Sequence, residues 1–402
     1  MKVKRFYMLM LTVIVVTACQ KPVREKESPA EVDAKGTFAY DLAFLREKDD
    51  VIVLSDGDAQ VIVSAKYQGK VFTSSAEGLK GKSFGWINYA AFEKEPDPHM
   101  NAYGGENRLW LGPEGNRFSL FFKPSAEMIF ENWKTPPSID TEEWNVVSKD
   151  EKAVSLSKEA ELENYAGMTF DLKIERRIRI RSREEIEQSL GRLDDKLKVV
   201  SYETINEISN VGEQAWTRET GAPCIWILDM FNPSPSTTII IPFKPDASGK
   251  IVTTDYFGEI PKDRISISNN LVLFKADGKS RGKIGLSPSR AASLAGSYDE
   301  ENSILTVVFF EVDQNGIYLN QEWNTSKDPF AGDAVNAYND GPLEDGSQMG
   351  PFYELESVSP AAFLKPGEKL SHVHSVIHFT GDREQVHDVM DILFGTTDPK
   401  IK

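Results

Sequence analysis

The chain has 402 residues and a formal net charge of −16 at pH 7, with 40% hydrophobic and 10% aromatic residues. This acidic balance provides no basic surface of the kind that nucleic acid or anionic lipid headgroups require, so neither is expected as the main partner. The length and the apolar content are sufficient for a large core, arranged as two lobes or as one very large sandwich.

The N-terminus has the parts of an export signal. Residues 1–5 carry three positive charges, and an apolar run follows over residues 6–16. Because this run is roughly half of the ~20 residues that a membrane span needs, we expect a cleaved signal peptide over residues 1–18. Cys19 follows a β-branched residue and two small ones, which resembles the lipobox of bacterial lipoproteins. An ordinary signal peptide beside a chance cysteine is the alternative.

Lipid on Cys19 would anchor the chain to a membrane and place the protein outside the cytoplasm, facing the periplasm or at the cell surface. Gln20 is not an aspartate, which by analogy with other lipoproteins favours the outer membrane. Residues 19–36 are charged, contain two prolines and show no apolar period, so they predict a flexible tether. Cys224 is the only other cysteine and would have no partner for a disulfide.

From residue 38 onward the pattern is almost entirely that of β-strands. Residues 168–181 alternate strictly between apolar and polar side chains, which predicts a long strand with one dry face, interrupted only by Arg176. Two helices are predicted, over residues 184–196 and 382–394. Many strands and few short helices indicate an all-β fold, a large antiparallel sandwich over residues 37–402. Further strands are predicted over residues 51–54, 60–66, 71–75, 198–208, 236–242, 271–275, 303–313, 316–322, 352–358 and 370–380.

Residues 101–116 concentrate polar and aromatic side chains around two adjacent glycines. Glu106, Asn107 and Arg108 can grip hydroxyl groups, while Trp110 can cover the apolar face of a sugar ring. A loop held by its own polar contacts would show the same composition. The other tryptophans raise a similar question, because each is either a stacking platform or part of the core.

A second group lies near the C-terminus. On strands, Glu354 and Glu356 would share one face, and His372, His374 and His378 would share another. If the two strands are neighbours, the carboxylates and imidazoles would meet and form an acid/base pair or a metal site. A solvated face carrying histidines is the structural alternative.

Four segments together resemble the galactose mutarotase-like proteins, closest to an uncharacterised family of secreted lipoproteins of that fold. The resemblance covers residues 38–379 and implies a β-supersandwich with a carbohydrate-sized cleft on one concave sheet. The segments are residues 104–114, 209–216, 353–360 and 364–368.

By this resemblance Glu356 corresponds to the base glutamate of aldose 1-epimerases, and Arg108 corresponds to their sugar-binding arginine. Those enzymes carry a catalytic histidine in the segment that corresponds to residues 221–229, where this chain has none. Trp226 lies in that segment and is predicted to line the cleft or to belong to the core.

The sequence therefore predicts an extracytoplasmic lipoprotein that binds or processes carbohydrate, without a cofactor. As an epimerase-type enzyme it would use Glu356 as base, with Glu354 close by, and His374 as acid. A non-catalytic glycan-binding lipoprotein is the first alternative. A lyase or hydrolase that uses a divalent metal, held by His372, His374 and His378 or by histidines with Glu354, is the second. The predicted sugar-binding residues are Arg108, Asn107, Glu106, Trp110 and Trp226.

Overall fold

Antiparallel strands dominate residues 34–401, the part of the chain that this computed structural model describes. The predicted signal peptide, Cys19 and most of the predicted tether lie outside these residues. In the described part, no helix is both long and apolar enough to cross a membrane. The helices are α1 (Phe38–Arg46), α2 (Arg183–Leu190) and α3 (Arg383–Phe394).

The strands form three sheets. In chain order they are β1 (Ile52–Asp56), β2 (Ala59–Ser64), β3 (Lys70–Ser75), β4 (Arg108–Gly112), β5 (Asn145–Lys149), β6 (Ala153–Glu163), β7 (Thr169–Arg181), β8 (Lys198–Asn210), β9 (Cys224–Phe231), β10 (Thr237–Pro242), β11 (Ile265–Ser268), β12 (Leu271–Lys275), β13 (Gly282–Leu286), β14 (Leu294–Asp299), β15 (Ile304–Phe310), β16 (Val335–Asn339), β17 (Tyr353–Val358) and β18 (Lys369–Thr380).

The two larger sheets define the architecture. One has ten strands in the order β11-β12-β10-β14-β15-β18-β8-β7-β6-β5, and the other has five in the order β13-β16-β17-β9-β4. Strands β1 to β3 form a separate three-stranded sheet. Neighbouring strands pair antiparallel, as at β17 and β9 or β18 and β8. The predicted all-β antiparallel sandwich with few short helices is therefore confirmed.

The main core lies between the ten-stranded and five-stranded sheets. Buried apolar side chains of β4 and β17, such as Leu109 and Leu355, belong to the same cluster as Ile174 and Tyr202 of the larger sheet. Helices α2 and α3 contribute Ile186 and other side chains to a second cluster, on the opposite face of the larger sheet. Burial of each large aliphatic side chain contributes about 1.5–3 kcal/mol. Within residues 34–401, no comparable helical layer covers the other face of the smaller sheet, so that face is available for a cleft.

Strand β7 confirms the long alternating strand predicted over residues 168–181. Its pairing with β6 and β8 continues without a shift through Arg176, so the interruption is not a bulge. The Arg176 side chain is 1% exposed and its Nη1 donates to Asn206 Oδ1 at 3.1 Å, between the sheets. Burial lowers the Arg176 pKa to about 10. The single charge on the dry face therefore belongs to a polar network in the core.

The helices agree only in part with the sequence pattern. Helix α3 matches its prediction, with Asp382 and Gln385 forming a capping box and Gly395 ending it at φ 65°. Helix α2 ends at Leu190 instead of continuing to residue 196. Helix α1 was not predicted, because residues from 38 onward were assigned to strands. The predicted strand over residues 316–322 does not form, and only an isolated bridge joins Tyr318 to Ala331.

Candidate functional site

The outward face of the five-stranded sheet, here called the cleft face, carries a row of polar side chains set by the strand register. Lys283 of β13 pairs with Tyr338 of β16, which pairs with Glu354 of β17, and Glu354 pairs with Met230 of β9. Since side chains alternate along a strand, residues two positions away share this face. Glu356 therefore lies on the cleft face, and its register partner Leu228 is in turn paired with Arg108 of β4.

The cleft above this face consists of two adjoining cavities. The inner cavity has a volume of about 190 Å³ and is lined by Arg108, Trp110, Trp226 and Glu354, among others. The outer cavity has a volume of about 740 Å³ and extends to the segment around Leu343. Lining residues common to both include Glu114, Phe130, Phe257, Arg281, Lys283, Trp323, Tyr338 and Met349.

Both glutamates predicted to be catalytic are held in buried ion pairs. Arg108 Nη2 lies 2.5 Å from Glu354 Oε1, and Lys283 Nζ lies 2.9 Å from Glu356 Oε2. Trp226 Nε1 also donates to Glu356 Oε2 at 2.9 Å. The Glu356 side chain is fully buried, whereas Glu354 lines the inner cavity. The polar floor of the cleft is thus organised by two carboxylate–cation pairs.

The two carboxylates differ in their surroundings. Burial raises the pKa of Glu354 to about 7; the nearby Arg108 opposes this rise and the nearby Glu356 adds to it. Glu356 Oε1 is buried and has no hydrogen-bond partner among the described residues, although its Oε2 accepts two hydrogen bonds. Burial therefore makes Glu354 a weaker acid than an exposed glutamate, whereas Glu356 is held by a lysine and an indole.

Aromatic rings form the walls of the cleft. Trp110 and Trp226 meet edge to face at 5.8 Å between ring centroids in the inner cavity. Trp133 and Trp323 stack at 6.0 Å with 27° between their planes, and Phe130 stacks on Trp133 at 6.1 Å. Trp323 Nε1 donates to Glu114 Oε1 at 3.0 Å, which fixes the ring at the border of the two cavities. Burial raises the pKa of Glu114.

The structure separates Glu106 and Asn107 from Arg108. Glu106 is fully buried; Ser74 donates to both of its oxygens and His378 Nε2 lies 3.0 Å from its Oε1. Asn107 Nδ2 donates to Asp229 Oδ1 at 2.6 Å, also in the interior. Neither residue lines the cleft, so the expectation that they hold hydroxyl groups beside Arg108 is corrected. Arg108, Trp110 and Trp226 do lie in the inner cavity.

The C-terminal histidines lie on the other side of the sheet from the glutamates. Strand β18 belongs to the ten-stranded sheet, and His372, His374 and His378 point into the space between the sheets, each 2% exposed or less. His374 Nε2 lies 2.7 Å from Asp229 Oδ2, and its Nδ1 lies 2.8 Å from Ser357 Oγ. The expected meeting of these imidazoles with Glu354 and Glu356 does not occur, because β17 and β18 are not neighbours.

The histidines are also kept apart as metal ligands. Ser357 Oγ lies between His372 Nε2 and His374 Nδ1, while His378 Nδ1 is 2.9 Å from Thr306 Oγ1. Over residues 34–401, no group of three or more His, Cys, Asp or Glu side chains is arranged to hold a metal ion. Burial, with His374 nearby, lowers the pKa of His372 to about 3. Each imidazole is thus engaged in the polar network of the core.

Several residues of the cleft were not singled out from the sequence. Lys283, Arg281 and Tyr338 lie on strands or loops whose patterns carry no distinctive motif. From the sequence, Trp133 and Trp323 were recognised only as tryptophans that belong either to the core or to a surface on which a sugar ring stacks. Cys224, in contrast, is fully buried away from the cleft, and burial raises its thiol pKa to about 12.

The fold and the site define a two-sheet antiparallel β-sandwich protein with a ligand-sized cleft on its smaller sheet. The chain belongs to the family of unknown function DUF6786, which matches residues 36–402. A search of curated proteins found no match.

Several solved structures are similar to this chain at low sequence identity. The Slr1438 protein of Synechocystis sp. PCC 6803 is 12% identical, with a TM-score of 0.51 over 83% of this chain and 96% of that one, which shows a shared fold. A putative aldose 1-epimerase of Escherichia coli K12 is 13% identical, with a TM-score of 0.48 over 82% and 98% of the two chains. A galactose mutarotase-like protein of Lactobacillus casei ATCC 334 is 9% identical, with a TM-score of 0.47 over 82% and 99%.

Proposed function

We propose that this protein is a carbohydrate-binding lipoprotein and that its ligand binds in the cleft of the five-stranded sheet. The observation that carries the proposal is the combination of ion-paired polar groups on the floor with tryptophans on the walls. Arg108 and Glu354 present donors and acceptors to hydroxyl groups, and Trp323 and Phe130, which line the inner cavity and are exposed, present apolar surface to a ring. Ligand sites of this kind have apolar walls and a few placed polar groups.

Binding without catalysis is favoured by the pairing of both glutamates. A general base must have a free lone pair within reach of the substrate. Glu354 Oε1 is engaged by Arg108, and Glu356 is fully buried, so its unpartnered Oε1 is not exposed to the cleft while Lys283 and Trp226 hold its Oε2. Among residues 34–401, no imidazole lines either cavity. The cleft therefore has the features of a sugar-binding site more clearly than those of an epimerase.

A thermal-shift and calorimetric screen of the full chain against monosaccharides and glycans tests this proposal. A sugar that binds the wild type should bind Glu354→Gln and Trp323→Ala at least about tenfold more weakly, because each variant loses a contact of the inner cavity. Glu203→Gln, on the larger sheet and far from the cleft, is the matched control. If no sugar binds, or if the variants bind as tightly as the wild type, the proposal is wrong.

Epimerase-type chemistry is the second candidate, supported by the two adjacent carboxyl groups in unlike surroundings. Glu354, with its pKa near neutrality, could donate a proton to the ring oxygen while Glu356 accepts the proton of the anomeric hydroxyl. This requires that Lys283 release Glu356 when the sugar enters. Polarimetry on freshly dissolved aldoses checks it: faster mutarotation that disappears in Glu356→Gln would establish the enzyme, and the spontaneous rate would exclude it for those sugars.

The lipid anchor completes the proposal. Cys19 would bear the lipid, and the tether after it would carry the cleft at the membrane surface outside the cytoplasm, with the outer membrane as the favoured location. Metabolic labelling with a clickable palmitate should mark the wild type and not Cys19→Ala, and the variant should leave the membrane fraction. Equal labelling, or a soluble wild type, would contradict the anchor without affecting the cleft.

A further inference from the structure

The inner and outer cavities differ in chemistry as well as in size. The inner one, at about 190 Å³, has Arg108, Glu354 and four tryptophans around it, so it suits one polar ring. The outer one, at about 740 Å³, is roughly four times as large and is lined by Phe257 and Leu343, among others. A ligand that filled only the inner cavity would leave most of the cleft in water.

Exposed apolar side chains are concentrated on the rim of the outer cavity. Phe130 is 58% exposed, Phe257 49%, Leu343 47%, Met349 44% and Trp323 37%. These five make up nearly half of the large hydrophobic side chains exposed on residues 34–401, and they come from four separate segments of the chain. Scattered exposed apolar residues need no explanation, but a group gathered around one cleft marks an interaction surface.

The aromatic members of the rim are held in fixed positions. Trp323 stacks on Trp133 and donates to Glu114, and Phe257 lies beneath the guanidinium of Arg281 at 3.9 Å. Side chains that are positioned before binding lose little conformational freedom when a ligand arrives. The rim is therefore a set of preformed platforms continuous with the inner cavity.

We propose that the cleft binds the end of an oligosaccharide, with the terminal sugar in the inner cavity and the following units on the platforms of the rim. This inference rests on the proposed function and adds the length and orientation of the ligand. A hydrocarbon chain is the less suitable occupant, because it would cover the Arg108–Glu354 pair and leave these groups without hydrogen bonds from the ligand. A sugar chain offers hydroxyl groups to the floor and ring faces to the walls along its whole length.

Isothermal titration of the full chain with one glucose-based series, from the monosaccharide to the hexasaccharide in α-1,4 and in β-1,4 linkage, tests the inference. Affinity should rise about tenfold or more between one and three units, because a stacked ring contributes about one such factor. Phe257→Ala should reduce this gain, and Phe257→Tyr, which keeps the ring, should restore it. Ile267→Ala removes an equally exposed side chain far from the cleft and should keep the wild-type gain.

The outcomes separate this inference from the proposed function. Equal affinity for all ligand lengths would contradict the proposal that the cleft binds the end of an oligosaccharide. A sugar-binding site would still be supported. If affinity still rises with ligand length in the double variant Phe257→Ala/Trp323→Ala, the inference is also wrong. In that case these two side chains would not stack on a sugar ring. Failure of every length in both linkages, along with failure in the wider sugar screen, would instead remove the proposed function and this inference with it.

Discussion

Lys283 on β13 reaches across β16 to Glu356 on β17, so an ion pair with 2.9 Å between Nζ and Oε2 joins two strands that are not neighbours. The side chain of Lys283 is 10% exposed and that of Glu356 is fully buried. The amine also lies 4.7 Å from the ring centroid of Trp226. Together with the contact to Trp226, this pair connects strands β13, β17 and β9 through side chains alone. Its loss is therefore expected to destabilise the floor of the cleft.

Removal of the amine should destabilise the protein strongly. In Lys283→Met the Glu356 carboxylate would remain buried without its cation, and breaking a buried pair in this way costs about 3–5 kcal/mol. Urea unfolding followed by fluorescence measures the loss. The double variant Lys283→Met/Glu356→Gln has no uncompensated charge and should recover most of the stability. If the single variant is as stable as the wild type, the pair has no structural role.

The protonation of Glu354 should make stability depend on pH in a defined direction. Burial raises the pKa of this carboxyl from 4.5 in the unfolded chain to about 7 in the folded one. The folded state thus holds the proton more tightly, and its contribution is complete below pH 4.5 and lost as the pH rises through about 7. Relative to Glu354→Gln, the wild type should lose on the order of 1–3 kcal/mol between pH 4.5 and pH 8. Parallel unfolding curves of the two proteins across this range would refute the shift.

His374 should matter for folding and not for the ligand. In His374→Gln the Asp229 carboxylate loses the imidazole at 2.7 Å, and a buried acceptor left without a donor costs about 1–3 kcal/mol. Sugar affinity should remain at the wild-type value, since the five-stranded sheet lies between His374 and the cleft. Denaturation and titration of the same sample check both statements. His387→Gln, at a partly exposed site on α3, is the matched control and should change neither quantity by much.

Gly115 controls the position of Trp323. A Cβ atom at this residue would lie 2.1 Å from the carbonyl oxygen of Glu322 and 2.7 Å from the amide of Trp323. Gly115→Ala should therefore displace the segment that carries the indole and weaken the binding of oligosaccharides, with a smaller effect on stability. Gly381→Ala, where the nearest atom belongs to the flexible Gln385 side chain, is the control. Unchanged oligosaccharide affinity in Gly115→Ala would show that the backbone adapts without moving the ring.

The sequence predicted secondary structure best where one hydrophobic period continues over many residues. The fourteen-residue alternation around β7 predicted a strand with one buried face, and the capping residues of α3 predicted its two ends. The first helix was missed because its nine residues lie at the start of a long β-rich segment. Its apolar residues Phe38, Leu42 and Leu45 are helically spaced, but the segment is short. Local patterns therefore gave the elements and the sandwich class.

Sheet membership could not be obtained in the same way. The faces of Glu354 and Glu356 and of the three histidines followed from strand periodicity, but which strands are neighbours depends on contacts distant in sequence. Strand β17 pairs with β9 and β16, and β18 pairs with β8 and β15, so the two groups never share a cleft. Glu106 and Asn107 were misplaced for a related reason. They precede β4, where the chain still runs through the interior, and only Arg108 lies on the cleft face.

Adjacent residues of strand β17 therefore have different surroundings and different roles. Glu354 and Glu356 lie on the cleft face, and between and after them Leu355 and Ser357 point into the core, where Ser357 meets two imidazoles. A complete substitution scan of these positions should show loss of ligand binding at Glu354 and loss of the fold at Leu355, Glu356 and Ser357, which are fully buried. New ligand preferences could then be selected at Glu354 while the three positions that follow it remain constrained by folding.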